Sequence, residues 1–493
     1  MFCTVSSFVL DGIQARPCHV EVAITSGQLT GTTIVGLPDP VVRESIERVR
    51  AAVRNSGYQW PTGWITINLA PADVRKEGPV YDLPIAIAVL MAGGTIDQGI
   101  QEGKAGVCLA GELALDGRLR SIRGAVSMAI LSRRLDMNCI VVPMGNSTEA
   151  SSVHGSNVLG ASSLSEVVSW FNGHLELNTP PPHVASKSEL RDDFADVLAQ
   201  EQIKRVMSIS AAGWHNLLLH GPPGTGKSMM SRCLPGILPD LTLDEAVEVL
   251  QIRCCAGRFE GEFSTTPPFR SPHHSATAAA ILGGGSVPRP GELSMAHNGI
   301  LFLDELPEFS RLVLEGLRQP LEEYSVTVSR ACGSVRYPAR CLVVGAMNPT
   351  RDGRLPGRRG ADAMAKLSAP LLDRFDLHIE VPRVPFSVLR RAKPGRSTAD
   401  LRDTVIAARA MMLQRQGGSL NGQLSGSELD VHGRFEANSL DVLEQSMRHL
   451  DLTARAWNRL RRVARTIADL DGSDAVEVAH VEEAVLYRST VAM

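Results

Sequence analysis

An eight-residue segment rich in glycine and proline has the spacing of a phosphate-binding loop. It consists of Gly221, Pro222, Pro223, Gly224, Thr225, Gly226, Lys227 and Ser228. The segment meets the pattern G-x-x-x-x-G-K-[ST] and follows an apolar run at 217–219. Glycines let backbone N–H groups curl around phosphate oxygens, Lys227 can reach the β- and γ-phosphates, and the Ser228 hydroxyl can bind Mg²⁺. A chance match in a Gly/Pro turn is the alternative, but the preceding strand favours binding of ATP and Mg²⁺.

Two further apolar runs end in side chains that suit nucleotide hydrolysis. The run 299–303 ends in Asp304 and Glu305, and the run 341–347 ends in Asn348. Asp304 can hold the Mg²⁺ shell, Glu305 can polarise the attacking water, and Asn348 can orient that water and sense the γ-phosphate. Acids at a strand end are common wherever a strand meets solvent. Three strand ends that each carry a suitable side chain favour a catalytic site instead.

The elements that position these side chains belong to a multidomain globular protein. With 493 residues the chain is too long to fold around one hydrophobic core, so about two to four domains are expected. The hydrophobic fraction of 44% and the charged fraction of 21% are ordinary for such proteins. Because the net charge is −3, any contact with nucleic acid must come from local basic patches.

Signals for secretion and membrane insertion are not evident in the sequence. No basic region precedes an apolar stretch near Met1, and apolar runs such as 83–92 are too short to span a bilayer. The nine cysteines show no C-x-x-C spacing, and Cys254 and Cys255 are adjacent. We therefore expect a cytoplasmic protein with reduced, mostly buried thiols and no membrane contact.

Composition and apolar periodicity divide the chain into segments. Residues 1–172 carry β-type runs at 64–69, 106–110 and 139–143 and helical stretches at 41–56 and 83–91. This alternation predicts an α/β domain. A proline-rich linker at 173–192 leads to the segment with the phosphate loop at 193–382, and a connector at 383–398 leads to a helix-rich part at 399–493.

The sequence predicts one helix of the last segment from its capping residues and its apolar face. Thr453 is a candidate N-cap, and Gly472 follows the expected end. Four apolar residues between them share one face: Leu460, Val463, Ile467 and Leu470.

Short motifs spread along the chain resemble those of one family. They are G-L-P-D at 36–39, N-L-A-P-A-D-V-R-K-E-G at 68–78, S-P-H-H at 271–274, P-R-P-G-E at 288–292, L-D-E-L-P-E-F at 303–309, R-Q-P-L-E at 318–322, L-L-D-R-F-D at 371–376 and V-A-R-T-I-A-D-L at 463–470. With the phosphate loop, they resemble the Mg-chelatase-like AAA+ ATPases. The whole chain resembles the ComM/YifB branch of that family, which includes competence-related proteins. The resemblance implies an AAA+ core with a parallel sheet, an N-terminal α/β domain and a C-terminal helical lid.

The resemblance also implies roles for residues outside the phosphate loop. Arg374 would be an arginine finger that completes the active site of an adjacent subunit, and Arg455 would be the sensor-2 arginine. The segment 269–292 resembles the family's helix-2 insertion, and 324–337 resembles the β-hairpin before the sensor-1 strand. Both elements line the central pore of related rings. A solvated surface charge or a structural ion pair is the alternative for either arginine.

The N-terminal domain resembles the proteolytic domain of Lon-type proteases and the ribosomal-protein-S5-like fold. The corresponding stretches are A-G-E-L at 110–113, D-G-R-L at 116–119 and I-R-G at 122–124. Such a protease needs a serine activated by a lysine. The stretch 76–83 contains no serine, and the expected lysine falls near Ser127 and Met128. A scaffold or DNA-binding role is therefore favoured over peptide cleavage.

The chain departs from the family after the sensor-1 position. Family members commonly follow the Asn-Pro pair with a Cys-Pro-Cys-Gly stretch, whereas residues 348–359 here form a glycine-rich sequence with four arginines. A metal site built from those cysteines is therefore not expected. The arginines could contact phosphates or belong to a solvated loop.

The family resemblance implies a hexameric ring of this chain that translocates on branched or single-stranded DNA and drives branch migration. Candidate pore residues for DNA are Arg289, Arg330 and Arg336, beside glycines at 283–285 and 333. His273 and His274 are as well explained by packing or hydrogen bonding within the insertion.

Two other functions remain open at the level of sequence. A chelatase motor subunit would remodel a protein partner for metal insertion into a tetrapyrrole, but such motors normally lack a Lon-like domain. A protein unfoldase would need an aromatic-hydrophobic pore loop, which the sequence does not show clearly. The DNA motor is the favoured hypothesis.

Overall fold

Strands and helices alternate along most of the chain, as the α/β prediction requires. The computed structural model describes residues 1–27, 30–96, 106–181, 183–187, 192–259, 261–285, 288–330, 333–348, 366–450 and 452–489. These residues form two units: one comprises 1–186 with 243–264, and the other comprises 187–242 with 265–493. The domain boundaries expected from the sequence stay predictions.

The elements are numbered here in chain order. The strands are β1 (Phe2–Asp11), β2 (Gln14–Thr25), β3 (Gly31–Val35), β4 (Trp64–Ala70), β5 (Val107–Leu109), β6 (Glu112–Leu113), β7 (Leu119–Arg120), β8 (Cys139–Pro143), β9 (Val158–Ala161), β10 (Leu217–His220), β11 (Phe269–Arg270), β12 (Ile300–Leu303), β13 (Ser325–Arg330), β14 (Gly333–Pro338), β15 (Leu342–Met347) and β16 (Leu377–Glu380). The helices are α1 (Pro40–Asn55), α2 (Asp82–Ala92), α3 (Ala125–Arg134), α4 (Met144–Ala150), α5 (Leu164–Phe171), α6 (Glu201–Gly213), α7 (Lys227–Ile237), α8 (Leu243–Cys255), α9 (Ala278–Leu282), α10 (Glu292–Met295), α11 (Arg311–Gly316), α12 (Pro320–Glu323), α13 (Ala369–Leu372), α14 (Phe386–Leu389), α15 (Thr398–Gln416), α16 (Gly426–His432), α17 (Ala437–His449), α18 (Ala454–Leu470) and α19 (Val478–Ser489).

The first unit is built on a mixed seven-stranded sheet in the order β3-β4-β2-β1-β5-β8-β9. Strand β2 is antiparallel to both β1 and β4, whereas β5, β8 and β9 continue the sheet in parallel. Every residue of helix α2 is buried, and after Asp82 its sequence is apolar on every side, as expected for a fully buried helix. The strands and helices predicted for this region are confirmed to within a few residues.

The second unit contains a fully parallel five-stranded sheet in the order β11-β12-β15-β10-β16. Strands β10, β12 and β15 are apolar and almost entirely buried, as expected for strands covered on both faces. Because all five strands run in the same direction, their carboxyl ends meet at one edge. A separate antiparallel hairpin, β13–β14, confirms the hairpin predicted at 324–337.

Helices α15 to α19 form the C-terminal part of the second unit. Helix α18 matches the predicted apolar face, and Leu460, Val463 and Ile467 are buried in the core. Thr453 takes the extended N-cap conformation, but its side chain makes no capping hydrogen bond. The buried Asp469 of α18 accepts from Arg415 of α15 at 2.6 Å, which ties the two helices together.

Helix α8 belongs to the first unit although its sequence neighbours α7 and β11 belong to the second. The Gln251 amide donates to Ile13 O at 2.6 Å and to Ser127 Oγ at 3.0 Å. Ser127 itself donates to Ile13 O at 2.6 Å, so the position expected for a Lon-type lysine holds a buried, hydrogen-bonded serine. On the same helix, the Cys254 thiol donates to Glu149 at 3.0 Å.

The described cysteines match the expectation of reduced, buried thiols. Each of the eight cysteines in the described residues is buried and free of disulfide bonds. Across the same residues, each helix is too short or too polar to cross a bilayer.

Candidate active site

The phosphate loop joins β10 to α7 at the carboxyl edge of the parallel sheet. Gly224 and Gly226 have φ values of +78° and +88°, in the left-handed region that favours glycine. At Gly221 a Cβ atom would lie 2.3 Å from Val381 O, so a larger side chain cannot fit. The loop conformation therefore depends on the glycines that define the sequence pattern.

Lys227 lies inside this loop and is only 7% exposed. Its ammonium donates to Gly221 O at 2.8 Å, to Pro222 O at 2.9 Å and to Asn348 Oδ1 at 3.0 Å. Burial lowers the pKa of Lys227, and the Asp304 carboxylate opposes that shift. The structure thus brings Lys227 and Asn348 together, and phosphate oxygens are acceptors of the same kind as those the ammonium now contacts.

Ser228 and Asp304 also meet at this edge. The Ser228 hydroxyl donates to Asp304 Oδ2 at 2.7 Å. A hydroxyl and a carboxylate suit Mg²⁺, which commonly takes one or two protein ligands and completes its shell with phosphate oxygens and water. Among the described residues no group of three or more His, Cys, Asp or Glu side chains could hold a metal ion by itself. The donor set therefore fits a nucleotide-bound Mg²⁺ better than a protein-enclosed metal.

Glu305 follows Asp304 in an unusual backbone conformation. Its φ of +53° is in the left-handed region, which turns the chain sharply at the end of β12. The side chain is half exposed, and Glu305 Oε2 lies 3.1 Å from His274 Nδ1. The structure therefore adds a contact between the catalytic candidate Glu305 and the S-P-H-H motif.

A cavity of about 440 Å³ opens beside the phosphate loop. Its apolar wall includes Val197, Leu198 and Met229, and its outer side includes Phe386. Gln200 also lines this cavity and is 9% exposed. Its amide donates to Thr225 O at 3.4 Å, and its Oε1 has no hydrogen-bond partner among the described residues.

The cavity has the size and lining of a site for a nucleoside, which sequence reasoning missed. Its residues come from 196–200, the phosphate loop, α7 and 383–389, so no single motif marks it. The available signal was the position of 193–200 just before α6, at the start of the segment that carries the phosphate loop.

Arg374 lies two residues after the end of α13. Its guanidinium is 10% exposed and forms an ion pair with Glu322 at 2.5 Å. Its Nε donates to Arg318 O at 3.4 Å, while its Nη1 is buried without a partner in the part of the chain that the structure describes. If Arg374 acts as an arginine finger, its ion pair with Glu322 must open.

The segment around Arg374 is fixed by the C-terminal helices. Asp373 accepts from Arg488 of α19 at 2.8 Å and lies 3.4 Å from Arg459 of α18. One turn before Arg459, Arg455 is exposed in the first turn of α18. The structure therefore places Arg455 on the same helix that holds the Arg374 segment.

The candidate DNA contacts lie in the insertion and the hairpin. Arg289 is exposed, and Arg336 on β14 is exposed with its Nε donating to Ser325 Oγ at 2.8 Å. Arg330 closes the register of the hairpin opposite Gly333. The arginine-rich sequence after Asn348 lies outside the described residues.

Three family models match the chain in succession. Residues 20–146 match "Subunit ChlI of Mg-chelatase", residues 193–389 match "Magnesium chelatase, subunit ChlI", and residues 395–488 match "Magnesium chelatase, subunit ChlI C-terminal". The second match includes the phosphate loop, both carboxylates, Asn348 and Arg374.

Curated relatives extend the similarity over nearly the full length. The chain is 44% identical to "Uncharacterized protein YifB" of Escherichia coli K12, over 97% of this chain and 95% of that protein. It is 39% identical to "Competence protein ComM" of Haemophilus influenzae, over 97% of this chain and 96% of that protein. Identity to the "Magnesium-chelatase 38 kDa subunit" of Cereibacter sphaeroides is 26%, over 58% of this chain and 88% of that protein.

Proposed function

The chain belongs to the Mg-chelatase-like ATPase family that includes YifB and ComM, and from that membership we propose that it is an ATP-driven motor acting on DNA. The observation that carries this proposal is the extent of the similarity. The match to the competence protein covers 97% of this chain, whereas the match to the chelatase subunit covers 58%. The name of that relative refers to competence, and it supports our proposal that DNA is the polymer on which this motor acts.

ATP binding is proposed to use the phosphate loop and the adjacent cavity. The ammonium of Lys227 would exchange its carbonyl acceptors for phosphate oxygens, and the base would enter between Leu198 and Met229. The Gln200 amide nitrogen donates to Thr225 O, and among the described residues its Oε1 has no partner, so this oxygen can accept from an adenine amino group. Guanine presents a carbonyl at that position, so the same atom would disfavour GTP.

Hydrolysis is proposed to depend on the side chains at the ends of β12 and β15. Ser228 and Asp304 would hold Mg²⁺, which supplies charge neutralisation at the phosphates when bound. Glu305 would polarise the attacking water, and Asn348 would orient it beside the Lys227 ammonium. These proposed roles are supported by the position of all four side chains at the carboxyl edge of the parallel sheet.

A ring is proposed because the positive charge of an arginine finger would come to each nucleotide site from a neighbouring protomer. The guanidinium of Arg374 is paired with Glu322. Once this ion pair opens, the guanidinium would reach a nucleotide bound to a neighbouring protomer. Among the described residues its buried Nη1 has no hydrogen-bond partner, which supports an acceptor that comes from outside the protomer. Arg455 would report the nucleotide state to the lid, and a hexameric, cytoplasmic ring is the form that we propose.

DNA is proposed to contact the insertion and the hairpin β13–β14 through Arg289, Arg330 and Arg336. Each phosphate contact that is lost should reduce the slope of log affinity against log salt by about 0.9 for duplex DNA. Substituting Arg289 and Arg336 with alanine should therefore weaken binding and flatten its salt dependence. The exposed Arg448 of α17 provides a matched control.

The second candidate is a motor that remodels a protein partner, as a chelatase subunit would. Its specific support is the similarity to the magnesium-chelatase 38 kDa subunit, 88% of which aligns with this chain. The two candidates differ in what stimulates hydrolysis. We expect four-way junctions, forks or single strands to raise ATP turnover, with Arg289→Ala/Arg336→Ala responding less than Arg448→Ala. Turnover that ignores every DNA and responds only to a protein would favour the second candidate.

A further inference from the structure

Arg374 and the phosphate loop belong to opposite edges of the parallel sheet. Strand β16 begins three residues after Arg374 and runs parallel to β10, so Arg374 precedes the amino ends of these strands. The phosphate loop follows the carboxyl end of β10. This placement supports a role for Arg374 on another protomer, and the direction of its guanidinium then depends on what holds the turn at 373–376.

The backbone of this turn is anchored just before β10. The Asn216 amide donates to Arg374 O at 3.0 Å, and Asn216 O accepts from Asp376 N at 2.9 Å. The Arg374 side chain needs such support, because its ion pair with Glu322 must open before the guanidinium can reach a nucleotide. The residues next to Arg374 must therefore set its direction.

One arginine of α19 bonds to the residues on both sides of Arg374. Arg488 Nη2 donates to Asp373 Oδ1 at 2.8 Å, and Arg488 Nη1 donates to Phe375 O at 2.7 Å. The Arg488 side chain is 10% exposed, and Phe375 is buried. Because a guanidinium presents its donors in a rigid planar fork, Arg488 holds the carboxylate and the carbonyl at a fixed separation. Arg459 of α18 lies farther from Asp373, at 3.4 Å.

We propose that Arg488 is a positioning residue for the arginine finger, which holds Asp373 and Phe375 so that Arg374 points at the nucleotide of the neighbouring protomer. This inference rests on the proposed function and gives the last helix a part in hydrolysis at that neighbouring site. A finger stabilises transition-state charge only when it is held in place, and a misplacement of about 1 Å can cost about a hundredfold in rate. Loss of Arg488 should therefore reduce kcat and spare ATP affinity.

A purely structural role for Arg488 leads to a different expectation. If its hydrogen bonds only stabilised the protomer, its loss would impair hydrolysis wherever the variant protomer lies in a ring. If Arg488 positions Arg374, its loss should matter only in the protomer that supplies the finger. Mixed rings separate the two cases, because one protomer supplies the phosphate loop and its neighbour supplies the guanidinium.

The test measures kcat and KM for ATP in three one-to-one mixtures. The reference mixture combines Arg374→Ala with Lys227→Ala, so each active site joins the intact lysine of the first to the intact finger of the second. The first test mixture combines Arg374→Ala with Lys227→Ala/Arg488→Ala, and we expect kcat to fall at least about tenfold below the reference with KM within about twofold. The second test mixture combines Arg374→Ala/Arg488→Ala with Lys227→Ala and should match the reference.

Arg461→Ala is the matched control for Arg488→Ala in both test mixtures. The Arg461 side chain is 9% exposed and pairs with Asp430 of α16 at 2.6 Å, so its loss should leave kcat at the reference value. If Arg488→Ala does not assemble, Arg488→Lys replaces it, because lysine keeps the charge and loses the planar fork. The same difference between the two test mixtures is then expected.

The outcomes separate this inference from the proposed function. A first test mixture as active as the reference, or a second test mixture as slow as the first, would overturn the role of Arg488 and leave the proposed motor standing. A reference mixture without activity would contradict the finger in trans, on which the proposed ring depends, and this inference would fail with it.

Discussion

Charged side chains beside the two large sheets of this protein have opposite surroundings. In the first unit the fully buried Asp82 accepts from Arg48 at 2.7 and 3.0 Å and from Leu113 N at 3.1 Å. The equally buried Lys76 donates to Pro71 O of the same unit. In the second unit, Lys227 and Asp304 lie at a sheet edge and contact groups that a ligand can replace.

Strand direction explains much of this difference. A mixed sheet sends its strand ends to both edges, whereas a parallel sheet collects every carboxyl end at one edge, where α/β proteins bind ligands. Charges in the first unit should therefore matter mainly for stability, and charges at the parallel edge mainly for chemistry. Four substitutions test this comparison: three change side chains proposed to act on the nucleotide, and one changes a buried charge of the first unit.

The largest effect is expected at Lys227. Lys227→Ala should reduce ATP affinity by at least about a hundredfold, because the ammonium is the buried cation of the phosphate loop. Isothermal titration with ATP and magnesium measures this loss, and the melting temperature should change little. The exposed Lys187→Ala is the control. An unchanged ATP affinity in Lys227→Ala would contradict the view that charges at the parallel edge serve ligand binding.

Arg374→Ala should reduce ATP turnover by about a hundredfold or more, because an arginine finger stabilises transition-state charge. Mixing it with Lys227→Ala creates sites with an intact phosphate loop beside an intact finger. In a randomly mixed one-to-one ring such sites make up about a quarter, so turnover should recover to about that fraction. No recovery at any ratio would mean that Arg374 serves only its ion pair with Glu322.

Gln200→Leu should reduce the preference for ATP over GTP by about tenfold, since the leucine cannot accept from the adenine amino group. Competition binding with both nucleotides gives the ratio directly. A triphosphate of unsubstituted purine, which lacks that amino group, should bind wild type and variant alike. If both nucleotides weaken equally, Gln200 only supports Thr225 O.

The smallest effect concerns Asp82. Burial raises the pKa of this carboxyl to about 6, although Arg48 opposes the shift. The folded state therefore keeps a proton that the unfolded chain has released, and stability is lost as pH rises through 6. The stability gap between wild type and Asp82→Asn, which does not titrate, should narrow by about 1 kcal/mol between pH 5 and pH 7.5.

Urea unfolding at the two pH values measures this gap. The exposed Asp116→Asn is the control, because hydrogen bonds from Arg118 lower the pKa of Asp116 and keep its titration below this range. A gap for Asp82→Asn that widens with pH would contradict the sign of the shift.

Local sequence patterns predicted the parallel edge and much of the first sheet. Apolar runs that end in Asp304, Glu305 and Asn348 mark strand ends, and glycine spacing marks the phosphate loop. These features depend on neighbouring residues, so the sequence displays them directly. The same holds for α18, whose apolar period and following Gly472 define its length.

Features that join distant segments were not predictable in this way. The cavity beside the phosphate loop combines Gln200 with Phe386, and α8 contributes Gln251 to the first unit. The S-P-H-H motif alone does not reveal that His274 lies 3.1 Å from Glu305, since the pairing of β11 with β12 sets that distance. Arg374 carries its family motif, yet only the structure shows its ion pair with Glu322.

The central claim is that ATP hydrolysis at this site moves DNA strands. The most direct measurement follows a labelled four-way junction with movable arms, incubated with the protein, ATP and magnesium. We predict that separated duplex products accumulate with the wild-type protein and fail to form with Glu305→Gln, which should bind ATP without turning it over. A wild-type protein that hydrolyses ATP but moves no strand of a junction or a fork would contradict the claim.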